Sequence, residues 1–308
     1  MTTSAQEMTT WQPGSDATKT AFGELVAPDA KLELVVDGFR FTEGPVWVPS
    51  LEDGQPGFLL FSDIPNSKIH KFTEGIGITT YRRDSNHTNG NFYDANTATL
   101  YSAEQGKRAV TRTGIKTGDH EVVISEFEGK KFNSPNDLVV KSDGSVWFTD
   151  PTYGLAKRPK EMDGQDVYRW DPTTKAVTRV AGEAFHQPNG LAFSPDEERL
   201  YIADSGKHQR IMVYAVAGNR LAEGEVFAEN VHPDGMRVDA GGNLWVGAKD
   251  GVRVYAPDGS LLGTIATEKQ VTNLTFGGED RRTLFITSRD QVLRIPVRVD
   301  PAPTGQRE

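Results

Sequence analysis

A six-bladed β-propeller is the fold this sequence predicts, and three observations predict it. One pattern recurs six times, its copies are spaced like propeller blades, and the strand missing from the last copy is available near the start of the chain. Each copy opens with Glu, Asn or Asp followed by a short apolar strand: EGPVW at Glu43, NGNFYD at Asn89, NDLVV at Asn136, NGLAF at Asn189, DGMRVD at Asp234 and NLTF at Asn273. Successive starts lie 46, 47, 53, 45 and 39 residues apart, the period of a blade in a radial β-repeat.

The second strands follow as LLFSD ending at Asp63, LYSAE at Glu104, VWFTD at Asp150, LYIAD at Asp204, LWVGA at Ala248 and LFITS at Ser288. Between first and second strands sit SDGS, SPDEE, AGGN and GGEDRR, whose Gly, Asp and Ser suit tight reversals. Third strands are KIHKF, RAVTR, DVYRW, RIMVY, GVRVY and QVLRI, and weaker fourth strands are GITTY, EVVIS, AVTRV, EVFAE and LLGTI. The sixth copy has no fourth strand after QVLRIPV, and KLELVV (Lys31 to Val36) is placed to fill the gap. Closure of this kind removes an unpaired sheet edge. A β-sandwich array is the competing architecture, and six four-stranded units favour the propeller. No long segment carries the 3.6-residue apolar period of a helix. The expected organisation is a polar, flexible leader over 1–30, one propeller over 31–300 and a tail over 301–308.

With 308 residues, the chain can bury a large core without disulfides. It contains no cysteine, which rules out thiolate metal sites as well. A formal charge of −9 argues against nucleic acid or an anionic membrane as partner. The apolar runs are far shorter than the roughly 20 residues of a membrane span. The first twenty residues lack the apolar core of a secretory signal, so a cytoplasmic location is expected.

In a propeller the first strand of each blade lines the central channel. Glu43, Asn89, Asn136, Asn189, Asp234 and Asn273 therefore form a ring at one mouth, and all six carry a carboxylate or an amide. Singly, each has an ordinary explanation, because Asn-Gly and Asp-Gly steps form turns. Turn chemistry does not call for Glu at position 43. Two carboxylates about 5 Å apart repel by roughly 3 kcal/mol at an effective dielectric near 20. A divalent cation reverses that sign, and an all-oxygen shell suits calcium, magnesium or manganese before zinc. The alternative is a pair of carboxylates sharing one proton.

The segments FTEGPVW, NSPNDLVV, FTDPTYGL, QPNGLAFSPDEERLY, PDGMRVD and NLTFGGEDRRTLFIT resemble the senescence marker protein / gluconolactonase / luciferin-regenerating enzyme family, the gluconolactonase branch above all. The likeness runs from about Arg40 to Val297. It implies a six-bladed propeller with one divalent ion, calcium first, held by Glu43 in EGPVW, Asn189 in PNG and Asp234 in PDG. Asn136 in PND matches a position that ligates the ion or meets substrate beside it. Where animal lactonases of the family carry a sugar-contacting Arg, this chain has Ser134, so the animal enzymes' sugar preference does not carry over.

The reaction this implies is hydrolysis of a sugar lactone such as gluconolactone, a small-molecule substrate. Asp234 serves as ligand and general base, and Asn136 steadies the developing oxyanion. Asn89, Glu104, Asp150, Tyr153 and Asn273 are the expected substrate contacts, and the insertion Pro151 to Gln165 is a candidate lid. His87 is a further possible base, and Asp204 with Ser205 ends a strand. Two other readings stay open on the same scaffold: a phosphotriesterase acting on organophosphates, and a metal-free binding propeller.

Overall fold

The computed structural model describes residues 10–182 and 185–303, and it is a six-bladed β-propeller. Blades 1 to 4 are four-stranded antiparallel sheets built in chain order: blade 1 opens with Thr42–Val48, blade 2 with Thr88–Asp94, blade 3 with Leu138–Val140 and blade 4 with Pro188–Phe193. Blade 5 opens with Met236–Val238 and blade 6 with Asn273–Gly277. The predicted closure is present: Glu33–Asp37 pairs antiparallel with Gln291–Pro296 and completes blade 6. The ring is thus sealed by hydrogen bonds between the two ends of the domain.

The leader expected over 1–30 is corrected from Thr10 onward. Trp11–Pro13 adds a fifth strand to blade 5 by pairing with Ile265, Thr264 and Gly263. The helix Lys19–Leu25 then buries Phe22 completely in the core between blades 5 and 6. Phe22 lies where a side chain at Gly263 would be, 2.3 Å from its ideal Cβ. Burying such a ring contributes about 1.5–3 kcal/mol toward ordering the segment. At the other end, the tail expected from 301 starts inside the fold: Pro301 bridges to Asp239 and Ala302 is buried. Residues 1–9 and 304–308 of the two expected segments lie outside the described residues.

Two repeated devices aim the first strands at the axis. The first is a register break. In blades 1, 2 and 4 the pairing of first and second strands is interrupted between Glu43 and Val46, between Thr88 and Asn91, and between Pro188 and Leu191. Such breaks re-aim a side chain at the end of a strand. Glycine after the ring residue has a different task from the turn first suggested. A Cβ on Gly44 would lie 2.2 Å from the Asn89 carbonyl oxygen, and one on Gly190 would lie 2.3 Å from that of Asp234. The glycines let the next blade's backbone come close.

The second device is a clamp at the end of the second strand. Asp63 accepts the backbone N–H groups of Arg40 and Phe41, Asp150 those of Asn133 and Ser134, and Asp204 those of His186 and Gln187. Each clamped loop leads directly into its blade's first strand. Charge-assisted hydrogen bonds of this kind are stronger than neutral ones, and they fix where the ring residue begins.

Candidate functional site

The mouth of the channel is a cavity of about 330 Å³, and Glu43, Asn89, Asn136, Asn189 and Asp234 all line it. Five of the six ring positions therefore converge as the repeat predicts. The sixth, Asn273, does not reach the mouth. It lies fully buried below Glu43, donating from Nδ2 to Glu43 Oε2 at 3.1 Å and to Asp137 Oδ2 at 3.2 Å. Its expected role as a substrate contact is corrected to support of Glu43.

Glu43 Oε2 also accepts the Gly44 N–H at 2.8 Å. Burial holds the Glu43 carboxyl well above its usual pKa, the charges of Asp234 and Asp137 add to the rise, and the Gly44 and Asn273 donors oppose it. Burial likewise raises Asp234, to about 8, against the Asn189 amide and the Arg289 cation, with the Asp137 charge on the side of burial. Gln270 donates to Asp234 Oδ2 at 3.4 Å, while Asp234 Oδ1 and Asn89 Oδ1 are buried with no hydrogen-bond partner among the described residues. An unsatisfied buried acceptor costs about 1–3 kcal/mol, so these two oxygens call for a donor, a water or a cation.

Whether a metal ion could answer that call follows from the donor set. The lining offers two carboxylates and five side-chain amides, those of Asn89, Gln105, Asn136, Asn189 and Gln270, whose oxygens are all hard donors. Hard divalent cations take such oxygens. Among the described residues no three His, Cys, Asp or Glu side chains converge as a metal site. A cation here would depend on Asn136 and Asn189 as much as on Glu43 and Asp234. The donor set and the orphaned oxygens fit the expected ion.

Of the remaining expected contacts, Tyr153 stands at the mouth, 44 % exposed. Burial and the Asp234 charge hold its phenol above the usual value, with hydrogen bonds from Ser205 and Asn189 opposing. Its insertion, Pro151 to Gln165, is tied down: Ser134 Oγ donates to the Pro151 carbonyl and accepts the Gly154 N–H, and Arg158 reaches the carbonyls of Gln105 and Gly106. It is an arch presenting Tyr153, and Ser134 and Arg158 are among the residues that anchor it.

Two expected contacts are corrected. Asp150 is fully buried, its oxygens taken by the Asn133 and Ser134 N–H groups at 2.7 and 2.8 Å. Glu104 is also fully buried and turned between blades 1 and 2, where it meets Arg82, Lys107, His120 and Thr111. Neither lines the mouth. His87 is engaged with the Ile64 carbonyl at 2.8 Å and is not part of the lining either.

The structure adds residues that sequence reasoning did not single out. Gln105, Gln270, His232 and Arg289 line the mouth from inter-strand and inter-blade loops. Arg289 lies over the Phe41 ring, 5.4 Å from its centroid. Asp137 is buried beneath the ring. Only Asp137 had a signal: ring residues at 43, 89, 189 and 234 are followed by Gly, whereas Asn136 is followed by a carboxylate.

Comparison with known proteins shows the family of the chain. The family profile described as "SMP-30/Gluconolactonase/LRE-like region" matches residues 41–290. A gluconolactonase of Zymomonas mobilis is 34 % identical over 294 residues, covering 86 % of this chain and 80 % of the relative. A pentonolactonase of Haloferax volcanii is 26 % identical over 261 residues, covering 81 % of each. A solved gluconolactonase from Xanthomonas campestris superposes with a TM-score of 0.83 at 33 % identity, covering 93 % of this chain and 94 % of that one. Among the described residues no helix is long and apolar enough to cross a membrane.

Proposed function

The chain belongs to the SMP-30/gluconolactonase/LRE-like family, and from that premise we propose that it hydrolyses a sugar lactone, an aldono-1,4- or 1,5-lactone such as gluconolactone, with the help of one divalent cation. The observation that carries this reading is the convergence of Glu43 and Asp234 with the three ring amides of Asn89, Asn136 and Asn189 around one cavity, two of whose oxygens have no partner among the described residues.

Glu43, Asn136, Asn189 and Asp234 would hold the cation, calcium first, with magnesium, manganese or zinc as alternatives. When bound, it supplies Lewis-acid stabilisation of negative charge on the lactone carbonyl oxygen. The rest of the chemistry belongs to the side chains. Asp234 takes a proton from water as the water oxygen attacks the carbonyl carbon, and returns it to the ring oxygen when that bond breaks. General-base help of this kind is worth about 10²–10⁴-fold. Asn136 donates a hydrogen bond to the developing oxyanion. Asn89 and Tyr153 face the same cavity and are placed to bind substrate hydroxyls.

Hydrolysis of a panel of aldonolactones, followed by pH-stat before and after EDTA with cations added back, tests the reading. Lactone opening that is lost on chelation and restored by one cation supports it. A fluorophosphate run in parallel separates the phosphotriesterase alternative. Turnover of the fluorophosphate alone, or lactone turnover indifferent to EDTA, overturns it.

A further inference from the structure

Beneath the ring lies a buried layer that the reaction just described does not use. Asn273 spends its Nδ2 on Glu43 and Asp137 together, while its Oδ1 accepts the Leu274 N–H at 2.9 Å. The amide orientation is therefore fixed from both sides. Asp137 Oδ1 accepts the Leu138 N–H at 2.9 Å, and its Oδ2 takes Asn273 with Arg237 Nη1 4.0 Å away. Arg237 enters from the opposite, apolar end of the channel, where it lines the far chamber. Its own Nη1 is steadied by the Met236 carbonyl at 2.7 Å.

The layer has no slack. A Cβ on Gly90 would stand 2.4 Å from Asp137 Oδ1, and one on Gly235 would stand 2.0 Å from Asn273 Cγ. Only a carboxylate can serve at position 137. It must accept hydrogen bonds on both oxygens, and an amide would turn its NH₂ against another donor. Yet a third carboxylate under Glu43 and Asp234 is electrostatically costly unless something compensates it. Arg237 does so: its side chain is 18 % exposed and that of Asp137 only 1 %. The three carboxylates and this one guanidinium leave a formal charge of two minus, matching a divalent cation. Arg289 at the rim also acts on Asp234, but it is solvent-exposed, so its charge is screened more than that of the less exposed Arg237.

We propose that Asp137 and Arg237 are a charge-setting and positioning layer: through Asn273 they hold Glu43, and together they tune the ring for a doubly charged ion. The inference rests on the cation reading of the mouth. Neither residue touches substrate, so both are positioning residues.

The test is calorimetric titration of calcium, alongside terbium luminescence, on the wild-type protein and on Asp137→Asn, Arg237→Gln, Arg237→Lys and Asn273→Ser. Asp137→Asn should weaken cation binding about 10- to 100-fold, as loss of a supporting partner does at metal sites, and should lower the terbium-to-calcium affinity ratio. Arg237→Gln should raise that ratio at least tenfold, because the site becomes more negative, and Arg237→Lys should restore it. Asn273→Ser should weaken calcium binding without moving the ratio. If Asp137→Asn does not fold, the opposed behaviour of Arg237→Gln and Asn273→Ser decides. Folded variants whose affinities and ratios match the wild type overturn the layer's role and leave the cation reading standing. A wild-type protein that binds no cation overturns both.

Discussion

The two ends of the central channel are built from the same six first strands and could hardly differ more. At one mouth, the strand starts present Glu43, Asn89, Asn136, Asn189 and Asp234 around a cavity of about 330 Å³. At the other, the same strands present Val46, Phe92, Leu138, Leu191, Val238 and Phe276 around a chamber of about 200 Å³. A few residues along each strand separate an all-oxygen ring from an apolar wall. The lesson is that one register position in each of five blades carries the chemistry, and the rest of the strand holds that position in place.

Exchanging one atom in the ring should break the comparison most sharply. Asp234→Asn keeps shape and removes both charge and base, so kcat should fall about 10²–10⁴-fold, read by pH-stat on the lactone. A loss below tenfold would leave Asp234 as a ligand only. At the apolar end the expected damage is to stability. Phe276 is buried edge-on against Trp245, ring centroids 5.4 Å apart. Phe276→Ala should cost about 3–5 kcal/mol by denaturant unfolding, with kcat of the folded fraction unchanged.

The ring's own electrostatics give a third test. Asp234 rises from 3.8 to about 8, so between those values the folded protein holds a proton that the unfolded chain has released. Stability without cation therefore falls as pH rises through that window. A bound cation favours the ionised form and removes the loss. The gap in Tm between cation-loaded and EDTA-treated protein should widen from pH 5 to pH 8 by on the order of 5 °C. A gap that narrows with pH would contradict the placement of Asp234. The smallest effect belongs to the rim, where Tyr153→Phe removes one hydroxyl. KM should rise by about tenfold or less with kcat nearly unchanged, the worth of one hydrogen bond.

The sequence revealed what repeats and hid what does not. Blade count, closure by Glu33–Asp37 and five of the six mouth residues follow from a pattern seen six times. Asp150 and Glu104 were misread because a carboxylate at a strand end looks the same whether it faces a ligand or a loop. Three-dimensional contacts alone show Asp150 receiving the Asn133 and Ser134 N–H groups. Arg289 and Gln270 come from non-repeating connections, where no periodicity guides the eye. The leader was misjudged because its polar composition outweighed Trp11 and Phe22, which stack 5.3 Å apart and dock on blade 5. Asn273 kept the ring's residue type yet sits one layer deeper, a displacement that register along the chain cannot express.

A crystal structure grown with calcium tests the central claim most directly. One cation should lie in the mouth, coordinated by oxygens of Glu43, Asn136, Asn189 and Asp234, with Asp234 Oδ1 among them. Calcium bound elsewhere, or these four side chains turned away from one another at saturating calcium, would contradict it.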